Sequence, residues 1–246
     1  MFSQLARVKQ PDQTLIEAVV SDEDPLAQRQ AALAQLRRAC RSDLGRSTEP
    51  PFPTGCEVID AALHGGLPRG HMVEAVGKVG RLSLALNVLA QATQRRELAV
   101  MIDGADALDP RSAEELGIDL RRLLWVRVKK GNDALRAADM VLSAGGVSLL
   151  VLYLVEQSDP QLAMRTALWT RLGQRTQRAK ASVLICADKP LAQSFAVATL
   201  GVHNDGVRWQ DAPGGRGQLA ARQARIEVMR SRLGAPGDSQ PWCLRK

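Results

Sequence analysis

One segment carries the residue types of a phosphate-binding loop: Gly77-Lys78-Val79-Gly80-Arg81-Leu82-Ser83. It follows an apolar run and precedes a stretch of helical composition. In that context backbone N–H groups and a helix N-terminus cradle phosphate, a lysine neutralises it and a hydroxyl holds magnesium. The chemistry needs the spacing G-x-x-x-x-G-K-[ST]. Here two residues separate Gly77 from Gly80 instead of four, Arg81 stands where the lysine belongs, and Leu82 where the hydroxyl belongs. Reading Gly77-Lys78 as the end of the motif fails too, because Val79 follows. The loop is too short to wrap a phosphate, and a planar guanidinium does not replace a compact ammonium in a tight cradle. Losing two or three charge-assisted hydrogen bonds, at roughly 1.5–3 kcal/mol each, weakens nucleotide binding about a thousandfold or more. No nucleotide cofactor and no hydrolysis are expected, although the helix N-terminus from Gly80 to Ser83 still attracts anions weakly.

The remaining reactive residues form no catalytic or metal-binding constellation. Cys40, Cys56, Cys186 and Cys243 are widely spaced, without C-x-x-C, and read as buried reduced thiols of a cytosolic protein. The three histidines lack metal spacing. Charge is more informative. Residues 161–246 hold 14 Lys/Arg against 5 Asp/Glu, a net +9, whereas residues 1–160 hold 19 against 21. A basic C-terminal third is a footprint for a polyanion or an acidic partner. Two groups stand out as candidate partner or DNA contacts. Arg171, Arg175 and Arg178 share an arc of about 60° on a helix, with Leu168, Trp169 and Leu172 on the other side. Arg230 and Arg232 alternate along a predicted late strand.

The elements that must position these residues alternate in type. Strands are predicted at His71–Val76, Leu98–Ile102, Leu123–Val128, Val147–Val155 and Ser182–Cys186. Helices are predicted at Leu82–Thr93, Pro110–Leu116, Asp133–Leu142, Gln161–Ala179 and Leu191–Leu200. Such alternation implies βαβ units and an α/β fold with a mostly parallel, twisted sheet flanked by helices. Gly201–Trp209 and Arg222–Arg232, around the turn Pro213-Gly214-Gly215, read as late antiparallel strands. Residues 1–50 read as a helical appendage and linker, with a helix at Pro25–Arg41 behind the acidic Asp22-Glu23-Asp24 and three prolines between Ser47 and Pro53. Residues 51–246 form the core. The start, Met1 to Lys9, lacks the apolar region of a signal peptide, and the longest apolar run, Val147 to Val155, is far short of a membrane span.

From Pro53 onward the order of motifs resembles bacterial RecA. Pro53-Thr54-Gly55, Asp60, Gly65-Gly66-Leu67-Pro68-Arg69-Gly70, Val73-Glu74 and Gly77 resemble its approach to the nucleotide site. Ile102 to Pro110, Leu116 to Leu120 and Val228-Met229-Arg230-Ser231-Arg232 continue the likeness over roughly residues 50–240. The resemblance implies a RecA-like core without RecA's C-terminal domain. It implies two further losses: Tyr153 ends the Walker B strand where RecA has a metal-associated Asp, and Ala105 stands where RecA has its catalytic carboxylate. Asp106, one residue along, reads as a turn carboxylate. The long glycine-rich DNA loop after Ser182–Cys186 is also missing.

Asp106-Ala107-Leu108-Asp109-Pro110, followed by Leu123-Leu124-Trp125-Val126-Arg127, is more similar to the ImuA family of RecA-like accessory proteins. That resemblance implies a cytoplasmic, non-catalytic role in SOS-induced translesion synthesis. The implied partner is a Y-family polymerase-like protein of the same cassette, with RecA as a further candidate and DNA through the basic C-terminal third. The alternatives are an ATP-independent DNA-binding protein and a SulA-like cell-division inhibitor.

Overall fold

The computed structural model describes residues 49–154, 162–210, 218–233 and 240–245. Among them are eight strands: β1 (Met72–Gly77), β2 (Ala99–Asp103), β3 (Leu123–Arg127), β4 (Leu149–Tyr153), β5 (Ser182–Ala187), β6 (Ala198–Gln210), β7 (Gln218–Ser231) and β8 (Gln240–Arg245). They form one sheet in the order β3-β2-β4-β5-β1-β6-β7-β8. The first six in that order pair in parallel, and β6, β7 and β8 pair antiparallel. The described helices are α1 (Glu57–Ala62), α2 (Arg81–Gln94), α3 (Pro110–Glu115), α4 (Gly131–Ala144) and α5 (Thr166–Ala179). This is the α/β architecture, with late antiparallel strands, that the sequence predicts. The predicted helix at Pro25–Arg41, the linker residues up to Thr48 and the turn at Pro213–Gly215 lie outside the described residues.

The parallel strands are buried on both faces, so their residues are apolar in succession rather than in alternation. In β2, Ala99 and Met101 face one side while Val100 and Ile102 face the other; Leu149 and Val151 oppose Leu150 and Leu152 in β4. On the first side α2 buries Leu84, Ala85, Val88, Leu89 and Ala92, a single helical stripe. On the second, α4 presents Ala134, Leu135, Ala138 and Leu142, and α5 presents Trp169 and Leu172. The Trp169 indole donates to the Leu162 carbonyl at 2.9 Å, fixing the turn before α5. That turn is why α5 begins at Thr166 and not at the predicted Gln161, which itself lies outside the described residues. Asp109 caps α3 by accepting from the Ser112 N–H at 2.9 Å, with Pro110 at the first helical position. Two elements escape the sequence reading: α1, whose six residues lie in a run of motif matches, and β8.

The predicted helix at Leu191–Leu200 does not form. The segment is a crossover from β5 to β6 that passes over β1, with only a short 3-10 turn at Gln193–Phe195, and from Ala198 it is strand. Its apolar residues keep the helical spacing, and Ala192 and Ala196 are buried against the α5 face of the sheet. Its backbone groups, however, are claimed by side chains. Glu74, in β1 and fully buried, accepts from the N–H of Ala192 at 2.9 Å and from that of Leu191. Arg230 donates to the carbonyl of Ala196 at 2.7 Å and to that of Gln193, and Arg232 donates to Ala196 at 3.1 Å. Val197 then donates to Met72 at 2.8 Å and opens the pairing with β1. Tertiary hydrogen bonds thus replace the i→i−4 ladder.

Burial raises the Glu74 carboxyl above its ordinary value of 4.5, against the lowering effect of the two backbone N–H groups. Its Oε2 has no hydrogen-bond partner among the described residues. A raised folded-state value means that the contribution of this group to stability is complete below 4.5 and declines as pH rises through the raised value. Glu74→Gln keeps the acceptor and removes the ionisation. In chemical denaturation the stability of the variant relative to wild type is expected to increase from pH 5 to pH 8; a decrease overturns the assignment. Glu74→Ala, which strands two donors, is expected to cost about 1–3 kcal/mol.

Candidate functional site

In open parallel sheets the carboxyl ends of the strands collect the functional groups. Here β1 runs into the loop Gly77 to Gly80, and α2 starts at Arg81. Gly77 has φ +152° and presses against β6: a Cβ added there would lie 2.0 Å from the Val202 carbonyl oxygen. Gly80 has φ +87° and precedes α2 in the left-handed region that favours glycine. The loop therefore makes its turn with two residues between glycines, starting from a Gly77 that pairs beside Val202 of β6.

Arg81 is 5% exposed. Its guanidinium donates to the Asp188 carboxylate, just beyond β5, and to the Lys78 carbonyl at 3.0 Å. Its own carbonyl accepts from the Cys186 thiol at 3.9 Å. The pair closes the loop against the end of β5 and places a fixed cation and a fixed anion together at the helix start. Leu82 turns inward against the core. Tyr153, at the end of β4, is buried, and burial pushes its phenol up to about 12. The charges of Cys186, Arg81, Asp103 and Asp188 also act on it. Burial likewise raises the Cys186 thiol to about 12, which makes it inert.

Asp103, at the end of β2, is fully buried and serves as an acceptor hub. It takes the N–H groups of Ala105 at 3.1 Å, Ala107 at 2.8 Å and Leu108 at 3.0 Å, and the Trp125 indole N–H at 3.2 Å. The turn this builds carries Ala105, which has no functional group, and Asp106, which is exposed with φ +51° and lies 3.6 Å from Arg127. Arg127 in turn stacks on Trp125 at 4.9 Å. Among the described residues, no three His, Cys, Asp or Glu side chains are grouped to hold a metal ion.

The other predicted residues lie elsewhere. Arg171 and Arg175 share the Asp139 carboxylate of α4, with Nε–Oδ1 distances of 2.9 and 3.2 Å, and together hold Asp139 below the usual carboxylate range. Arg178 is exposed on the same helix. Arg230 and Arg232 clamp the crossover near the start of β1, at the end of the sheet opposite the loop. Five residue steps of β1 separate those ends, about 16 Å. The fold brings Arg81, Tyr153 and Ala105 to one end of the sheet and keeps the two other arginine groups apart from it. The sequence reading missed Asp188, Asp103 and Glu74. The signal for Asp188 was its position directly after an apolar strand, where parallel sheets place their active groups.

Residues 42–202 match the RecA N-terminal domain family, well over half of the chain. The chain belongs to the RecA N-terminal domain family. Among relatives of this RecA-family chain, the Protein RecA of Frankia alni is 37% identical over 131 residues, covering 49% of this chain and 38% of that one. That of Methylococcus capsulatus is 40% identical over 113 residues, covering 45% and 33%. The chain thus spans well under half the length of these relatives. A crystal structure of the RadB recombinase superposes with a TM-score of 0.58 at 15% identity, covering 77% of this chain and 94% of the other; it shares the fold.

Asp188→Asn leaves the Arg81 guanidinium buried without its counter-charge. The expected loss is about 1–3 kcal/mol, toward the lower end because the carboxylate is 45% exposed. Combining it with Arg81→Met, which removes the charge and keeps the volume, is expected to recover stability over Asp188→Asn alone. Urea denaturation of the three proteins measures this, and a wild-type midpoint for Asp188→Asn overturns it.

Proposed function

We propose that this RecA-family chain is a non-catalytic accessory protein of SOS-induced translesion synthesis. It binds a Y-family polymerase-like protein of its own cassette, with RecA as a second partner. The observation that carries the non-catalytic part is the Arg81–Asp188 ion pair inside a shortened loop. A guanidinium and a carboxylate already satisfy each other where a phosphate and its cation would need those charges. Tyr153 and Ala105 supply neither a metal-associated nor a catalytic carboxylate. The accessory part rests on the ImuA-like segments Asp106–Pro110 and Leu123–Arg127, set on a RecA-type core.

The basic helix face weighs less for a DNA groove than its sequence implies. Arg171 and Arg175 are committed to Asp139, which neutralises part of the face. A partner protein is therefore the better match for the retained scaffold.

Two measurements test the reading. Isothermal calorimetry with Mg-ATP is expected to show no affinity tighter than about 1 mM, with no phosphate release in a coupled assay. Micromolar binding or turnover overturns the non-catalytic assignment. Co-purification with the polymerase-like cassette protein is expected from co-expressing cells, and its absence overturns the accessory assignment.

A further inference from the structure

The crossover from β5 to β6 is gripped by opposite charges from two strands. From β1, Glu74 accepts the N–H groups of Leu191 and Ala192. From β7, Arg230 donates to the carbonyls of Gln193 and Ala196 and to the Thr199 hydroxyl. Beyond one short 3-10 turn the segment has no helical ladder of its own. Segments held in this way open at a lower free energy than the whole domain. We propose that the crossover is a proton-controlled latch: it stays seated over β1 while Glu74 holds its proton, and it opens locally around Leu191–Ala196 when Glu74 ionises.

Three observations carry the inference. The first is the asymmetry of the carboxyl. Glu74 is fully buried, and both crossover N–H groups bind its Oε1, while Oε2 has no hydrogen-bond partner among the described residues. A buried ionised carboxylate needs partners for both oxygens, whereas a carboxylic acid can keep its proton on the unbonded one. The second is what covers it. Val73 and Ala75 face the α2 side of the sheet, so Glu74 between them faces the α5 side, where Ala192 and Ala196 of the crossover are buried. Lifting the crossover returns the carboxyl to water. The third is room to move. A cleft of about 220 Å³ lies beside the segment, bordered by its Phe195 and Val197 and by Gly70 and Gly173, which contribute no side chains. Atoms that line such a void lose packing contacts on that side.

The charged surroundings are consistent with this. Arg230 on β7 acts on Glu74 and favours its ionised form, as do the backbone N–H groups, yet burial outweighs them. The residues beside Glu74 in register, Ile185 on β5 and Thr199 on β6, carry no charge. On the crossover, Asp188 is bound to Arg81 and Lys189 is exposed. On α5, Arg171 and Arg175 are bound to Asp139 and Arg178 is exposed. At the start of β1, the His71 imidazole is held below its ordinary value by burial and then by Arg232 on β7. An open crossover gives Glu74 its ordinary value of 4.5, and the closed one a higher value. By linkage, opening then becomes more favourable as pH rises from 4.5, by up to about tenfold per pH unit, and levels off above the closed-state value.

The latch is a property of the fold, and its test is independent of the accessory role. Hydrogen exchange of the isotopically labelled full chain is followed by NMR between pH 5 and pH 8. Protection factors are taken for the amides of Leu191, Ala192, Phe195 and Ala196, with Val151 and Leu152 of β4 reporting global unfolding. The crossover amides are expected to be less protected than those of β4 and insensitive to low urea, the mark of local opening. Their protection is expected to fall with rising pH and to level off where the Glu74 carboxyl carbon, followed in the same samples, completes its titration. Glu74→Gln, which keeps the acceptor and has no proton to lose, is expected to show protection independent of pH. A pH-independent wild type, the same fall in Glu74→Gln, or crossover and β4 amides that respond alike to urea overturns the proposal. So does a Glu74 carboxyl that titrates at or below 4.5 in the folded chain. The coincidence of the carboxyl titration with the change in protection needs no variant, so a Glu74→Gln protein that fails to fold leaves the test decisive.

Discussion

A guanidinium buried at the carboxyl end of a parallel sheet must find its counter-charge there, because isolating it from water costs several kcal/mol. Arg81 meets that requirement by reaching from the first turn of α2 to Asp188 at the end of β5. The consequences spread outward. The loop before α2 is drawn down until Lys78 gives its carbonyl to the same guanidinium. The Cys186 thiol turns to the Arg81 carbonyl. Tyr153, at the end of β4, is buried in the core on the α2 side of the sheet. At this end of the sheet the loop, the first turn of α2 and the end of β5 are thus tied to one another.

The opposite end depends on a different device. The chain must pass from β5 across β1 to reach β6, and a connection lying on a buried face has to bond every backbone group it buries. Glu74 from below and Arg230 and Arg232 from beside provide those bonds. Charged side chains thus do the work of a helix, in less length than the ten-residue helix that the composition favours. The crossover is held at Leu191–Ala192 and again at Gln193–Ala196. Between its course and α5, where Gly70 and Gly173 contribute no side chains, the cleft remains.

The parts legible in the sequence were those governed by local pattern. Fully buried parallel strands appear as unbroken apolar runs, so β2, β4 and β5 could be placed to within a residue or two of their ends. The long helices α2 and α4 showed their buried stripes. The arginines of α5 were placed correctly on the face opposite Trp169 and Leu172. What could not be read were partners distant in the chain. Asp188 lies 107 residues from Arg81, and Asp139 lies 32 residues from Arg171. Nothing in the spacing of Arg230 and Arg232 names the carbonyls they bind. The Leu191–Leu200 segment misled because its apolar spacing is helical while its hydrogen bonds are tertiary. Asp103 and Glu74 entered the sequence reading only as members of RecA-like motifs, since a carboxylate that accepts buried backbone N–H groups leaves no compositional trace.

The close pairing of Gly77 with Val202 fixes where the loop leaves the sheet. With a Cβ position only 2.0 Å from the Val202 oxygen, the chain at that point has no slack. Point substitutions at Arg81 and Leu82 could restore a lysine and a hydroxyl, yet they could not lengthen the two-residue gap between the glycines. Lengthening it would require an insertion, and the inserted residues would have to be accommodated while Arg81 was still bound to Asp188. Length and side-chain identity would have to change together, and neither change is useful without the other.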